Sequence, residues 1–126
     1  MINATKGDGF VREDNMNGKI DDIDDPLLFQ IIQRLVNAYH PDHVYLFGSR
    51  GRGEGGPDSD YDLLLVVADS PDPPYRRAQR AQEILWGIWE AVDVLILTRN
   101  EFESLKSEAS SIPATVMTEG RELYAA

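Results

Sequence analysis

From Pro26 onward the chain alternates two rhythms of apolar residues. Leu27, Leu28, Ile31, Ile32, Leu35, Val36 and Tyr39 recur at helical spacing, with Pro26 suited to a first turn. After Asp42 a short apolar run, Val44-Tyr45-Leu46-Phe47, reads as a buried strand. A loop from Gly48 to Ser59 follows, with five glycines and one proline. Tyr61 to Ala68 is nearly unbroken apolar sequence, as expected of a central strand. Ser70 to Pro74 connects to a predicted helix from about Pro74 to Ala91, whose stripe is Ala78, Ala81, Leu85, Ile88, Trp89 and Val92. Trp86 falls off that stripe and is expected at the surface or against a partner. Val92 to Thr98 is a third predicted strand. Asn100 with Glu103 predicts a reciprocally capped helix start. A short helix through Thr115 to Glu119 should stop at Gly120, and Arg121 to Tyr124 should form a fourth strand at an edge.

Helices alternating with strands predict an α/β fold, with a mixed sheet of about four strands and helices packed on it. Residues 1–25 lack this rhythm. They are polar, and read as an extension that is flexible or turns back around Asn17-Gly18, leaving 26–126 as the domain. Within the extension, residues 13–24 loosely mimic a calcium-binding loop. Glu13 stands first and Asp24 last, and no helix precedes, so a polar turn is the better reading.

The 126 residues fit one domain large enough to bury a core. There is no cysteine, which rules out disulfides, zinc-thiolate sites and thiol nucleophiles and is compatible with a cytoplasmic setting. The start carries no signal-peptide pattern and no apolar run is long enough to span a membrane. With 12 basic against 22 acidic side chains, the formal charge is −10. That leaves too few positive charges for a large nucleic-acid-binding face. An acidic protein that handles nucleotides needs metal ions between itself and phosphate.

The chemistry concentrates where loop meets strand. Gly48-Ser49 follows the first buried strand; ten residues later come Asp60-Tyr61-Asp62, and Asp93 opens a later strand. Positions i and i+2 of a strand share a face, so Asp60 and Asp62 stand side by side while Tyr61 faces away. Two adjacent carboxylates repel, and hard divalent ions favour such oxygen ligands. If the strands carrying Asp62 and Asp93 are neighbours, a third carboxylate joins them. The backbone of Gly48 and Ser49, with the Ser49 hydroxyl, can cradle phosphate oxygens. The loop lacks the Gly-Lys-Ser/Thr of a Walker P-loop.

Phe47-Gly48-Ser49-Arg50-Gly51-Arg52-Gly53, followed by Pro57-Asp58-Ser59-Asp60-Tyr61-Asp62-Leu63-Leu64-Leu65, resembles the signature of the polymerase β-type nucleotidyltransferase superfamily. In its shortness the chain resembles the minimal nucleotidyltransferase branch, the MntA-like antitoxins found beside HEPN-type toxins. The resemblance spans roughly Leu27 to Tyr124. It implies that Gly48 and Ser49 bind the nucleoside triphosphate, which the charges of Arg50 and Arg52 can steady. It implies that Asp60 and Asp62 bind two magnesium ions, manganese being an alternative, and that Asp93 is the third metal carboxylate near the acceptor hydroxyl. The implied reaction moves a nucleoside monophosphate, AMP from ATP, onto a hydroxyl, in this branch a tyrosine of the toxin. Two other functions stay open: an antitoxin that neutralises its partner by contact alone, and a small-molecule nucleotidyltransferase whose pocket a homo-oligomer would complete.

Each of these residues also has a plainer reading. Asp60-Tyr61-Asp62 can be a solvated strand end, Asp93 an exposed strand start, Ser49 a helix cap, and Arg50 and Arg52 solvated loop cations. The apolar strands that flank the carboxylates, and the Gly-Ser upstream, favour the metal site.

Overall fold

The computed structural model describes residues 19–20, 23–56 and 60–126; the turn predicted at Asn17-Gly18 and most of the calcium-like segment lie outside these residues. In chain order the elements are β1 (Lys19–Ile20), α1 (Pro26–Tyr39), β2 (His43–Phe47), α2 (Gly48–Gly51), β3 (Tyr61–Val67), α3 (Pro74–Ile84), β4 (Val92–Thr98), α4 (Arg99–Leu105), α5 (Ile112–Glu119) and β5 (Arg121–Ala125). They form an α/β fold around one mixed sheet, ordered β1-β5-β2-β3-β4. Only β3 and β4 run parallel, joined by the crossover helix α3. The pairs β2–β3, β2–β5 and β1–β5 are antiparallel.

The sheet separates two apolar layers. Leu63, Leu65 and Val67 of β3 with Val92, Val94 and Ile96 of β4 pack against Ile31, Ile32 and Leu35 of α1 and Ala81 of α3. The alternate residues Leu64, Val66 and Leu97 pack against Phe102 of α4 and Val116 of α5. Both faces of β3 are thus covered, which is why its sequence reads as an unbroken apolar run.

Helix α1 starts where Asp25 caps it, its Oδ1 accepting from the amides of Leu27 at 3.0 Å and Leu28 at 3.2 Å, with Pro26 in the first turn.

The structure departs from the sequence expectations in four places. The extension supplies a fifth strand: Lys19–Ile20 pairs outside β5, so β5 is not the edge. The glycine-rich loop opens with the single helical turn α2. The crossover helix stops at Ile84, seven residues early. There Arg34 of α1 donates to the carbonyls of Ile84 (3.3 Å) and Trp86 (2.9 Å), and Gly87 turns the chain at φ +92°. Trp89, expected in the core, is therefore 95% exposed. Finally, α4 is capped by Thr98 and Glu101, two residues before the pair that the sequence suggested.

Candidate active site

The register of the sheet assembles the site. Phe47 of β2 stands opposite Asp62 of β3, and Asp62 stands opposite Asp93 of β4. The chain leaves this row at Phe47 and enters Gly48-Ser49 at once. The two strands that carry carboxylates are neighbours, as the sequence argument required.

Asp62 and Asp93 share the sheet face of Leu64, Val66 and Leu97, and lie just past the N-terminal end of that apolar layer. Asp60 is exposed one residue before β3, and Tyr61 between the two aspartates is buried on the opposite face against α1. Tyr61 and Asp62 thus face opposite sides of the sheet, while Asp60 lies outside the strand rather than side by side with Asp62 on it.

Burial comes first among the influences that raise Asp62 above the ordinary carboxylate range, followed by the charges of Asp93 and Asp60 and a hydrogen bond shared with Asp93. No cation is among those influences. Two carboxyl groups in hydrogen-bond contact need a proton or a metal ion between them. The donor set, all hard oxygen, suits magnesium or manganese. Among the described residues no three Asp, Glu, His or Cys side chains already form a metal-ligating group. Asp62 and Asp93 are the pair in contact; Asp60 reaches Asp62 through its charge.

Gly48 meets this pair directly. Its φ of +69° is left-handed, and a Cβ there would strike the Asp62 carboxylate. Any other residue at position 48 would push the loop off the carboxylates. Gly51 is equally constrained, since a Cβ would come within 2.6 Å of the Leu46 carbonyl. The turn is closed by backbone bonds from Arg52 N to Gly48 O (3.1 Å), Gly53 N to Arg50 O (3.1 Å) and Glu54 N to Ser49 O (2.8 Å).

Arg50 does not point into open solvent. Its guanidinium carbon lies 4.0 Å from the centroid of the Tyr61 ring. The Tyr61 hydroxyl donates to Asp25 Oδ2, the oxygen that α1 leaves unused. Burial, then the bond to Asp25, pushes the Tyr61 hydroxyl up to about 12. Burial would raise Asp25, but hydrogen bonds from Tyr61, Leu28 and Leu27 outweigh it and hold Asp25 below its ordinary value. Sequence reasoning missed Asp25. The signal was its position before Pro26, the mark of an N-cap.

The structure thus brings together Gly48, Asp62 and Asp93, sets Ser49 next to them on the same turn, leaves Asp60 exposed at the mouth, and turns Arg50 onto Tyr61. Among the described residues, no helix is long and apolar enough to cross a membrane.

A candidate nucleotidyltransferase from Sulfolobus solfataricus superposes with a TM-score of 0.50 at 26% identity, over 62% of this chain and 69% of that one. A mutant MntA–HpeT toxin–antitoxin complex gives 0.50 at 21% identity, over 78% and 72%. A toxin–antitoxin complex with AMP-PNP gives 0.47 at 25% identity, over 77% and 73%. No curated protein matches. Residues 28–115 match the family described as the nucleotidyltransferase domain, a stretch that holds the glycine-rich turn, all three carboxylates and the strands that carry them. This chain belongs to the nucleotidyltransferase domain family.

Proposed function

We propose that this chain transfers AMP from ATP onto a hydroxyl of a protein partner, a tyrosine of a HEPN-type toxin, in a magnesium-dependent reaction. The observation that carries the reading is the Phe47–Asp62–Asp93 row, which sets two carboxylates in contact beside the Gly48-Ser49 turn. The protein acceptor rests on the resemblance of the 47–65 motif and the short chain to MntA-like antitoxins.

Asp60, Asp62 and Asp93 are the oxygen donors that would hold two divalent ions. Bound there, such ions would acidify the acceptor hydroxyl and neutralise charge on the departing pyrophosphate. The chain's own residues do the rest. Gly48 and Ser49 offer backbone amides and a hydroxyl to the triphosphate, and Gly48 permits the approach because it has no side chain. The acceptor oxygen bonds to the α-phosphorus as the α–β bridge breaks. In this reading Asp93, in contact with Asp62, takes the proton that the hydroxyl releases. The net charge of −10 opposes metal-free ATP, so binding should require magnesium.

The test pairs the chain with a HEPN-type toxin, magnesium and ATP, and weighs the intact toxin. We expect added AMP groups with the wild type and none with the double change Asp60→Asn, Asp62→Asn, while the complex still forms. Toxin rescue in cells then separates the rival reading. If the double mutant rescues as well as the wild type, neutralisation is by contact and catalysis is not the mechanism.

A further inference from the structure

We infer that Tyr61 is a positioning residue for the nucleotide-binding turn: its ring, fixed by Asp25, is the platform that holds Arg50 and so keeps Ser49 beside the carboxylates. This rests on the transferase reading above, and extends it to residues on the far face of the sheet.

The geometry is a clamp with two jaws. One jaw is the Tyr61 ring, 4.0 Å beneath the Arg50 guanidinium. The other is the backbone at Gly55, where a Cβ would come within 2.6 Å of Arg50 Cγ. Between them the Arg50 side chain is half-buried, with the ring on one side and the loop backbone on the other. Arg50 is one residue from Ser49 and two from Gly48, and its carbonyl accepts from Gly53 to close the turn.

Tyr61 itself is held at both ends. Its backbone amide donates to the Ala91 carbonyl at 3.0 Å, on the strand approach that carries Asp93. Its hydroxyl donates to Asp25, whose other oxygen caps α1. A tyrosine that only filled the core would still need a partner for its hydroxyl, but not a cation over its face. Because Tyr61 lies between Asp60 and Asp62, one strand segment orders both halves of the site. Its even side presents carboxylates, and its odd side steadies the loop that faces them.

A double-mutant cycle on magnesium-ATP affinity tests this, read by calorimetry, with circular dichroism confirming the fold of each variant. Tyr61→Met keeps apolar volume and removes the ring face. Tyr61→Met and Arg50→Gln should each weaken ATP binding by about tenfold, and the double variant should be no weaker than either single one. Tyr61→Phe, which restores the ring, should recover to within about threefold of the wild type. If the two losses multiply, or if Tyr61→Met binds ATP like the wild type, Tyr61 does not act through Arg50. If Tyr61→Met does not fold, Arg50→Gln against Tyr61→Phe decides, and an Arg50→Gln variant that binds ATP normally overturns the inference. A wild type that binds no ATP would instead sink the transferase reading.

Discussion

Gly48 and Asp62 constrain each other. The glycine is needed because the carboxylate occupies the space of its side chain, and the carboxylate is partly buried because the turn lies over it. The same crowding gives Asp62 an unusual pH signature. An aspartate whose folded value is raised binds its proton more readily in the folded state. Its cost is therefore absent below the ordinary value of 3.8 and grows as pH rises through the raised one. In EDTA at neutral pH, Asp62→Asn should melt a few degrees above the wild type, and the gap should close as pH falls toward 4. Magnesium should then raise the wild-type Tm and leave the variant nearly unchanged. A variant less stable than the wild type in EDTA would mean that the Asp62 carboxylate is structural. At this scale the site was largely legible, because a glycine-serine and three carboxylates at strand ends are a residue-type signal. The bond from Tyr61 to Asp25, across 36 positions, and the stacking of Arg50 across the glycine-rich loop were not, because such contacts leave no periodic trace.

Helix and strand lengths follow from contacts that periodicity does not encode. The stripe of Ile88 and Trp89 continues the helical rhythm past Ile84, yet Arg34 and Gly87 end the helix first. Thr98-Glu101 and Asn100-Glu103 both satisfy the capping pattern, and Arg77 decides between them. Its guanidinium, only 5% exposed, binds both Glu101 oxygens, at 2.7 and 3.2 Å. It also donates to the carbonyls of Ile96 (2.9 Å) and Asp72 (2.8 Å), so α3 and the start of α4 are tied across the end of β4. The strands were easier to read, since Leu63–Val67 of β3 and Val94–Leu97 of β4 are unbroken apolar runs that each follow an aspartate. The bond from Arg77 comes first among the influences that hold Glu101 below its ordinary 4.5. A lowered carboxylate stabilises the fold above its unfolded value and loses that contribution as pH falls. Arg77→Met should therefore cost about 2–4 kcal/mol at neutral pH, by denaturant unfolding, and the deficit should shrink below pH 4.5. Thr98→Ala should cost about 1 kcal/mol by the same measurement, with little change in ATP binding.

Across the whole molecule, three layers set one end of the sheet apart. The helices α1 and α3 cover one face and α4 and α5 the other, while the carboxylate row sits where neither pair reaches. The turn after α3 emerges at that same end. It carries Trp86 and Trp89, the only two tryptophans of the chain, at 84% and 95% exposure. Both indoles meet water in the native protein, so unfolding gives them nothing new to see. Heating the protein should shift its tryptophan emission maximum very little while far-UV circular dichroism loses its full amplitude. A large red shift that tracks the dichroism would mean the indoles are sheltered in solution. The chain's emission is thus nearly blind to folding, and the colour of its fluorescence is left to report on whatever comes to lie against that turn.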